Sequence, residues 1–201
     1  HAIAAFTEAL TGLSLVTTYY YCAIAQNSEG TSFGAVQSFT TLAEIPSVTT
    51  LAATAISTTS ATLNASATPN GSSATGWFRY SLTDPGTCND TFGTRTPATG
   101  GTALGGGTTA VPFSVTPMAL TVGATYYYCA IVQNGVGIGF GAVLTFKTTS
   151  TAPTLNTLAA TGVGGNTAQL NGSVTPNGEA TTGWFRYATV NPGTCNDTFG
   201  T

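Results

Sequence analysis

The stretch Thr125–Asn134 (TYYYCAIVQN) has already occurred once, with one change (Ala25 for Val132), as Thr18–Asn27 (TYYYCAIAQN). The offset of 107 residues from Tyr19 to Tyr126 also carries Phe39 to Phe146, Pro46 to Pro153, Trp77 to Trp184 and Cys88 to Cys195. The chain is therefore one unit of about 107 residues read through almost twice. A period of that length is a whole domain, too long for a solenoid turn. The repeated stretch reads as a β-strand: it is aromatic and β-branched, with no helix breaker and no helical period.

Taken in order, residues 1–41 hold the second half of a unit, 42–149 a complete unit, and 150–201 the first half of a third. In the first segment, Ala5–Ser14 is predicted as strand and turn, and Thr18–Gln26 and Gly34–Thr41 as strands joined through Asn27–Ala35. In the complete unit the predicted strands are Thr50–Thr54, Ser60–Ala67, Gly76–Leu82, Val111–Thr116 and the hairpin across Thr125–Lys147. TPNG (Thr68–Gly71) is a turn, and the Gly/Thr-rich stretch Thr94–Thr109 reads as mobile loop. The third segment repeats the first strands, TPNG and GWFRY. Seven short strands per unit, turn signals between them and no helical pattern predict an all-β protein of antiparallel sandwiches.

Here the residues carry a family resemblance. Leu51–Leu82 and Leu120–Thr148 resemble the opening and closing strands of bacterial fibronectin type III-like repeats of extracellular and cell-surface fibres. The Leu120-to-Tyr126 spacing, repeated at Leu13 and Tyr19, is similar to that family's tyrosine corner, in which a Tyr hydroxyl pins the preceding turn. By the family's strand order, alternation puts Tyr126, Tyr128, Ala130, Phe78 and Tyr80 in the core. Tyr127, Cys129, Ile131, Trp77 and Arg79 then face outward. Two cysteines per unit depart from the family pattern. A fold of this kind hosts many roles, so the resemblance speaks to architecture more than to activity.

Cys88 and Cys129 fall in the complete unit and are paired in this reading; the alternative is two buried free thiols. Closing a loop of about 40 residues is worth about 4 kcal/mol in the chain-entropy model, and implies an oxidising compartment. Cys22 and Cys195 are left over, one in each half unit. Residues 150–201 supply the opening strands of a sandwich and residues 1–41 its closing strands, with positions equivalent to 95–107 unrepresented. A complete domain between them holds the two about 30–40 Å apart, given strands of about 17–20 Å plus loops. The expected partner is therefore a second copy of the chain, joined head to tail, with a Cys195–Cys22 bond between neighbours. The competing expectation is a window on a longer repeat array, in which the polypeptide itself continues.

Candidate chemistry is sparse. With four Lys plus Arg and a net charge of −3, the chain has no phosphate-tracking surface, which excludes nucleic acid as a partner. No apolar run approaches the 18 residues of a membrane span. His1 opens the chain without Met or a signal sequence, which reads as a processed product or an excised segment. An N-terminal His resembles the copper end of lytic polysaccharide monooxygenases, but their second His is missing here. Without a second His, a GxSxG or a P-loop there is no activated nucleophile, and no catalytic residue, metal or cofactor is assigned. Glu8, Glu29, Glu44, Asp84, Asp90, Glu179 and Asp197 form no evident glycosidase pair, and Asp84, Asn89 and Asp90 are candidates for calcium but too few ligands to assign a site. Trp77 and Trp184 are candidates to contact a glycan or partner, or to cover the disulfide. Asn64, Asn70, Asn89, Asn171 and Asn196 fit the N-glycosylation pattern.

Only 5% of the residues are charged, so hydroxyls rather than ions cover the surface and colloidal repulsion is weak. That composition suits an assembled extracellular material. The expectation is a non-enzymatic structural subunit of an extracellular filament; the alternative is a stalk, adhesin or carbohydrate-binding module of a larger surface protein.

Overall fold

The computed structural model describes residues 4–201, and His1 lies outside them. Among the described residues there is no helix. The protein is all-β and antiparallel, with a two-layer sandwich at its centre.

The sandwich begins with β5 (Ser47–Thr54) and β6 (Thr62–Thr68), following four strands of the preceding segment: β1 (Thr18–Tyr21), β2 (Ile24–Asn27), β3 (Gly30–Phe33) and β4 (Gln37–Thr40). It continues with β7 (Ala74–Ser81), β8 (Thr94–Thr96), β9 (Thr102–Gly105), β10 (Val111–Val115), β11 (Thr125–Gln133), β12 (Ile138–Phe140) and β13 (Leu144–Lys147). One layer has the order β10-β6-β5. In the other, β11 is central: β7 pairs along one edge, β12 and β13 share the other, and β8 and β9 extend the sheet beyond β7.

Period-2 alternation builds the core. On β6, Leu63, Ala65 and Ala67 point in while Thr62, Asn64 and Ser66 are less buried. Three small or branched side chains on one layer leave room for the rings of Phe78 and Tyr128 from the other. Phe113 closes the gap, 5.1 Å from Phe78 between ring centres. It lies so close to Gly76 that a Cβ there would be 2.8 Å from the ring.

Between β12 and β13 the edge breaks, and the freed groups find partners. Gly141 N donates to Ala130 O (2.9 Å), and the buried Thr50 Oγ1 accepts from Ala130 N (3.1 Å). Every inward assignment made from the sequence lies in or against this core: Tyr126, Tyr128, Ala130 and Phe78 within it, and Tyr80 packed on it.

Three expectations are corrected. Thr94–Thr109 is not simply loop, because β8 and β9 lie within it and pair with β7, with Leu104 anchored in the core. Ala5–Ser14 contains no strand; in the sandwich the equivalent β10 exists because β6 pairs with it, and residues 4–41 hold no such neighbour. The second GWFRY, Gly183–Tyr187, is likewise not a strand.

Outside the sandwich, β1 pairs with β4 and β2 with β3. In the last segment, β14 (Thr154–Thr161) pairs with β15 (Gln169–Thr175).

The two junctions between segments share one set of contacts. A Cβ on Gly71 (φ 89°) would lie 2.1 Å from Val16 Cγ2, and one on Gly178 (φ 96°) would lie 2.9 Å from Gly123 N. Asn70 O accepts from Glu44 N (3.0 Å), as Asn177 O accepts from Thr151 N (3.3 Å). Asn70 Nδ2 donates to Ile45 O (2.8 Å), as Asn177 Nδ2 donates to Ala152 O (2.7 Å).

Candidate functional site

β11 has two faces, and both are buried. Its second face was expected to be outward, yet Cys129 and Ile131 are fully buried there and Trp77 is 3% exposed. The correction has a physical cause: the loop of residues 82–93 folds back over that face and builds a second, smaller core. Cys88 and Cys129 are joined by a disulfide with Cα atoms 6.0 Å apart. Trp77 and Ile131 pack with Cys129, and Cys88, Phe92 and Val143 close around them.

Asp90 ties the loop down. Its carboxylate accepts from Trp77 Nε1 (2.8 Å) and Arg79 Nε (2.9 Å), while Arg79 also donates to the carbonyls of Asp90, Phe92 and Gly93. Arg95 lies over the Trp77 ring at 4.6 Å and donates to Pro97 O and Gly100 O. Trp77 thus covers the disulfide, with its polar edge satisfied and its face under a guanidinium. Phe92 and Arg95 were not singled out from the sequence, and Arg79 and Asp90 were named there only as an outward residue and a calcium candidate. The signal was available: PGTCNDTFGT recurs without change at Pro85–Thr94 and Pro192–Thr201.

The same loop is present in the last segment. Trp184 Nε1 (2.9 Å) and Arg186 Nε (3.0 Å) both donate to Asp197. Those bonds, that from the Trp184 indole first and then that from Arg186, hold the Asp197 carboxyl below the usual carboxylate range. Asn196 Oδ1 accepts from Thr198 N (2.9 Å), matching Asn89 Oδ1 and Thr91 N (2.9 Å). Cys195 ends this arrangement as an exposed free thiol.

The first segment keeps the complementary geometry. Tyr19 Oη accepts from Ser14 N (2.9 Å) as Tyr126 Oη accepts from Thr121 N (2.9 Å), so the two tyrosine corners match. Tyr19 stacks on Phe39 at 5.7 Å, and Tyr126 on Phe146 at 5.5 Å. Thr41 Oγ1 accepts from Thr17 N (2.9 Å), as Thr148 Oγ1 accepts from Ala124 N (2.9 Å). Gly34 N donates to Ala23 O (2.8 Å) beside the exposed thiol of Cys22.

What the flanking segments lack is cover. Tyr128 is fully buried and Tyr21 is 55% exposed; for Ile131 and Ile24 the values are 0% and 56%. Phe78 is fully buried and Phe185 is 46% exposed; for Trp77 and Trp184 the values are 3% and 63%. Tyr128 Oη donates to Leu51 O (2.7 Å), and burial pushes its pKa above the ordinary phenol value. The candidate site is therefore a pair of apolar faces, one on β1–β4 and one on β14, β15 and residues 183–187.

The asparagines of the five glycosylation-type triplets all do structural work with their side chains. Asn64 Nδ2 donates to Ala52 O, Thr54 Oγ1 and Thr62 O, clamping the bulge of β5, and Asn171 does the same for β14. Asn70 holds a junction, and Asn89 and Asn196 shape the cysteine loops. Of the calcium candidates, Asp84 Oδ1 accepts from Gly86 N, Asn89 Oδ1 from Thr91 N, and Asp90 Oδ1 is taken by Trp77 and Arg79.

No family model matches the chain, and no curated protein matches it. Among solved structures it is similar to the sensor domain of the anti-sigma factor RsgI4 of Pseudobacteroides cellulosolvens. The short form is 19% identical over 52% of this chain and 94% of that one, with a TM-score of 0.36. The long form is 17% identical over 52% and 90%, with a TM-score of 0.36. The FN1–FN3 domains of chicken CNTN1 are 16% identical over 68% of this chain and 44% of that one, with a TM-score of 0.35. Likenesses this weak carry no argument about what the protein does.

Proposed function

We propose that the protein is a structural, non-enzymatic subunit of an extracellular filament built from fibronectin type III-like sandwiches. Each joint forms when residues 150–201 of one copy supply the opening strands, and residues 1–41 of the next the closing strands, of one sandwich. The observation that carries this reading is the exposure, on the two flanking segments, of the very side chains that the central sandwich buries. Large exposed apolar patches mark interaction surfaces. The occupant that fits each patch is the other half of the same repeat; the pairing of β11 with β7 inside the central sandwich supports this. A contact of this kind is heterologous and grows as an open fibre. The buried disulfide favours an oxidising, extracellular setting.

Negative-stain electron microscopy of the 201-residue chain, raised from low to high concentration, tests the proposal. Concentration-dependent fibres two sandwiches per repeat support it. Dispersed particles of one chain at every concentration refute it, and favour the reading as a stalk or glycan-binding module whose flanking segments are completed by further polypeptide.

A further inference from the structure

The cysteine loop of the last segment is already folded into its bonded shape, although Cys195 has nothing to bond. Trp184, Arg186, Asp197, Asn196 and Thr198 repeat the contacts that surround Cys88 in the sandwich, at 2.9, 3.0 and 2.9 Å against 2.8, 2.9 and 2.9 Å. On the other side, the tyrosine corner and the Gly34–Ala23 bond hold the strand pair around Cys22 as their counterparts hold the strand around Cys129.

We infer that Cys195 and Cys22 are the two halves of an intermolecular latch, pre-aimed by their own segments and closed only after docking. The partner is a second copy of this chain, and the inference rests on the head-to-tail reading. The register follows from the sandwich. Cys129 lies opposite Arg79, Ile131 opposite Trp77 and Ala130 opposite Phe78. In the joint, Cys22 of one copy lies opposite Arg186 of the next, Ile24 opposite Trp184 and Ala23 opposite Phe185. Trp184 then moves from solvent to the cover of the new disulfide, as Trp77 covers the old one. The clamp around Cys195 and the tyrosine corner beside Cys22 are in place beforehand, so docking has mainly to order Gly183–Tyr187 as a strand.

Closure needs an electron acceptor, which we take to be a low-molecular-weight disulfide. The Cys195 thiolate attacks it, giving a mixed disulfide and releasing one thiol. The Cys22 thiolate then attacks the Cys195 sulfur and releases the second. One S–S bond forms and one is consumed; the two protons lost by the cysteines appear on the released thiols.

The test uses the full chain in a glutathione redox buffer, with three samples: wild type, an equimolar mixture of Cys22→Ser and Cys195→Ser, and the double variant. Non-reducing gels should show a ladder in multiples of 20.2 kDa for the wild type. The mixture should stop at covalent dimers, and the double variant should give only the monomer band while keeping its Cys88–Cys129 peptide. Mass spectrometry of the unreduced wild-type digest should recover the Cys22–Cys195 peptide, and Trp184 emission should shift to the blue as the ladder grows. Fibres in which both thiols remain open to alkylation overturn the latch and leave the filament reading intact. So does recovery of Cys22–Cys22 or Cys195–Cys195 links. Absence of any oligomer, with the sandwich disulfide present, overturns both.

Discussion

Gly76–Tyr80 and Gly183–Tyr187 are the same five residues, GWFRY, and only the first is a strand. Around Gly76–Tyr80, β11 supplies one row of backbone partners and β8 and β9 the other. Around Gly183–Tyr187 neither row is present among the described residues. Yet both copies make the same short-range clamp, Trp and Arg onto the Asp that follows. Contacts spanning 11–13 residues survive without the sandwich, and strand pairing and burial do not. The difference separates what the local sequence can hold from what only a completed core can hold.

Core truncation gives the largest contrast. Phe78→Ala should cost about 3–5 kcal/mol of the sandwich's stability in urea melts, the usual range for a buried ring. Phe185→Ala in the monomeric chain should cost less than about 1 kcal/mol, since the ring is half exposed. Equal losses would dissolve the comparison. Next, Cys88→Ser with Cys129→Ser should remove about 2–4 kcal/mol and lower the melting temperature, whereas Cys22→Ser with Cys195→Ser should leave the monomer's melt unchanged.

Smaller still, Tyr126→Phe deletes the acceptor for Thr121 N and should cost about 1 kcal/mol; Tyr19→Phe should cost a few tenths, because water replaces the bond at an exposed corner. A final contrast is alkaline. Burial raises the pKa of Tyr128, so the folded state favours the neutral phenol. The stabilising effect is complete below the ordinary tyrosine pKa of about 10 and is lost as pH climbs through the raised value. Tyr128→Phe should flatten that high-pH loss in a pH series of thermal melts.

The repeat, the strand character of the ten-residue signature and the inward set Tyr126, Tyr128, Ala130 and Phe78 were legible in the sequence because period-2 alternation and an internal offset are local signals. The cover over Trp77, Cys129 and Ile131 was not. Alternation tells which face a side chain takes, and says nothing about whether a loop from elsewhere in the chain returns to bury it. β8 and β9 were hidden for a related reason: the Gly residues around and between them are depleted in strands and mask the strand character of Thr, and the pairing is dictated by the free edge of β7. The missing strand at Ala5–Ser14 is the converse case, a sequence with strand character and no edge to join.

The junction turns have a mechanical meaning. At Gly178 the backbone meets that of Gly123 in the preceding segment too closely for a side chain between them, and at Gly71 the Val16 methyl of the preceding segment fills the space a Cβ would take. In an array of such units, a link made that way would leave little slack, and successive sandwiches would inherit one twist angle instead of swinging as beads on a string. Any array propagated through these turns would resist bending and torsion, and would wind with a single pitch written into two glycines.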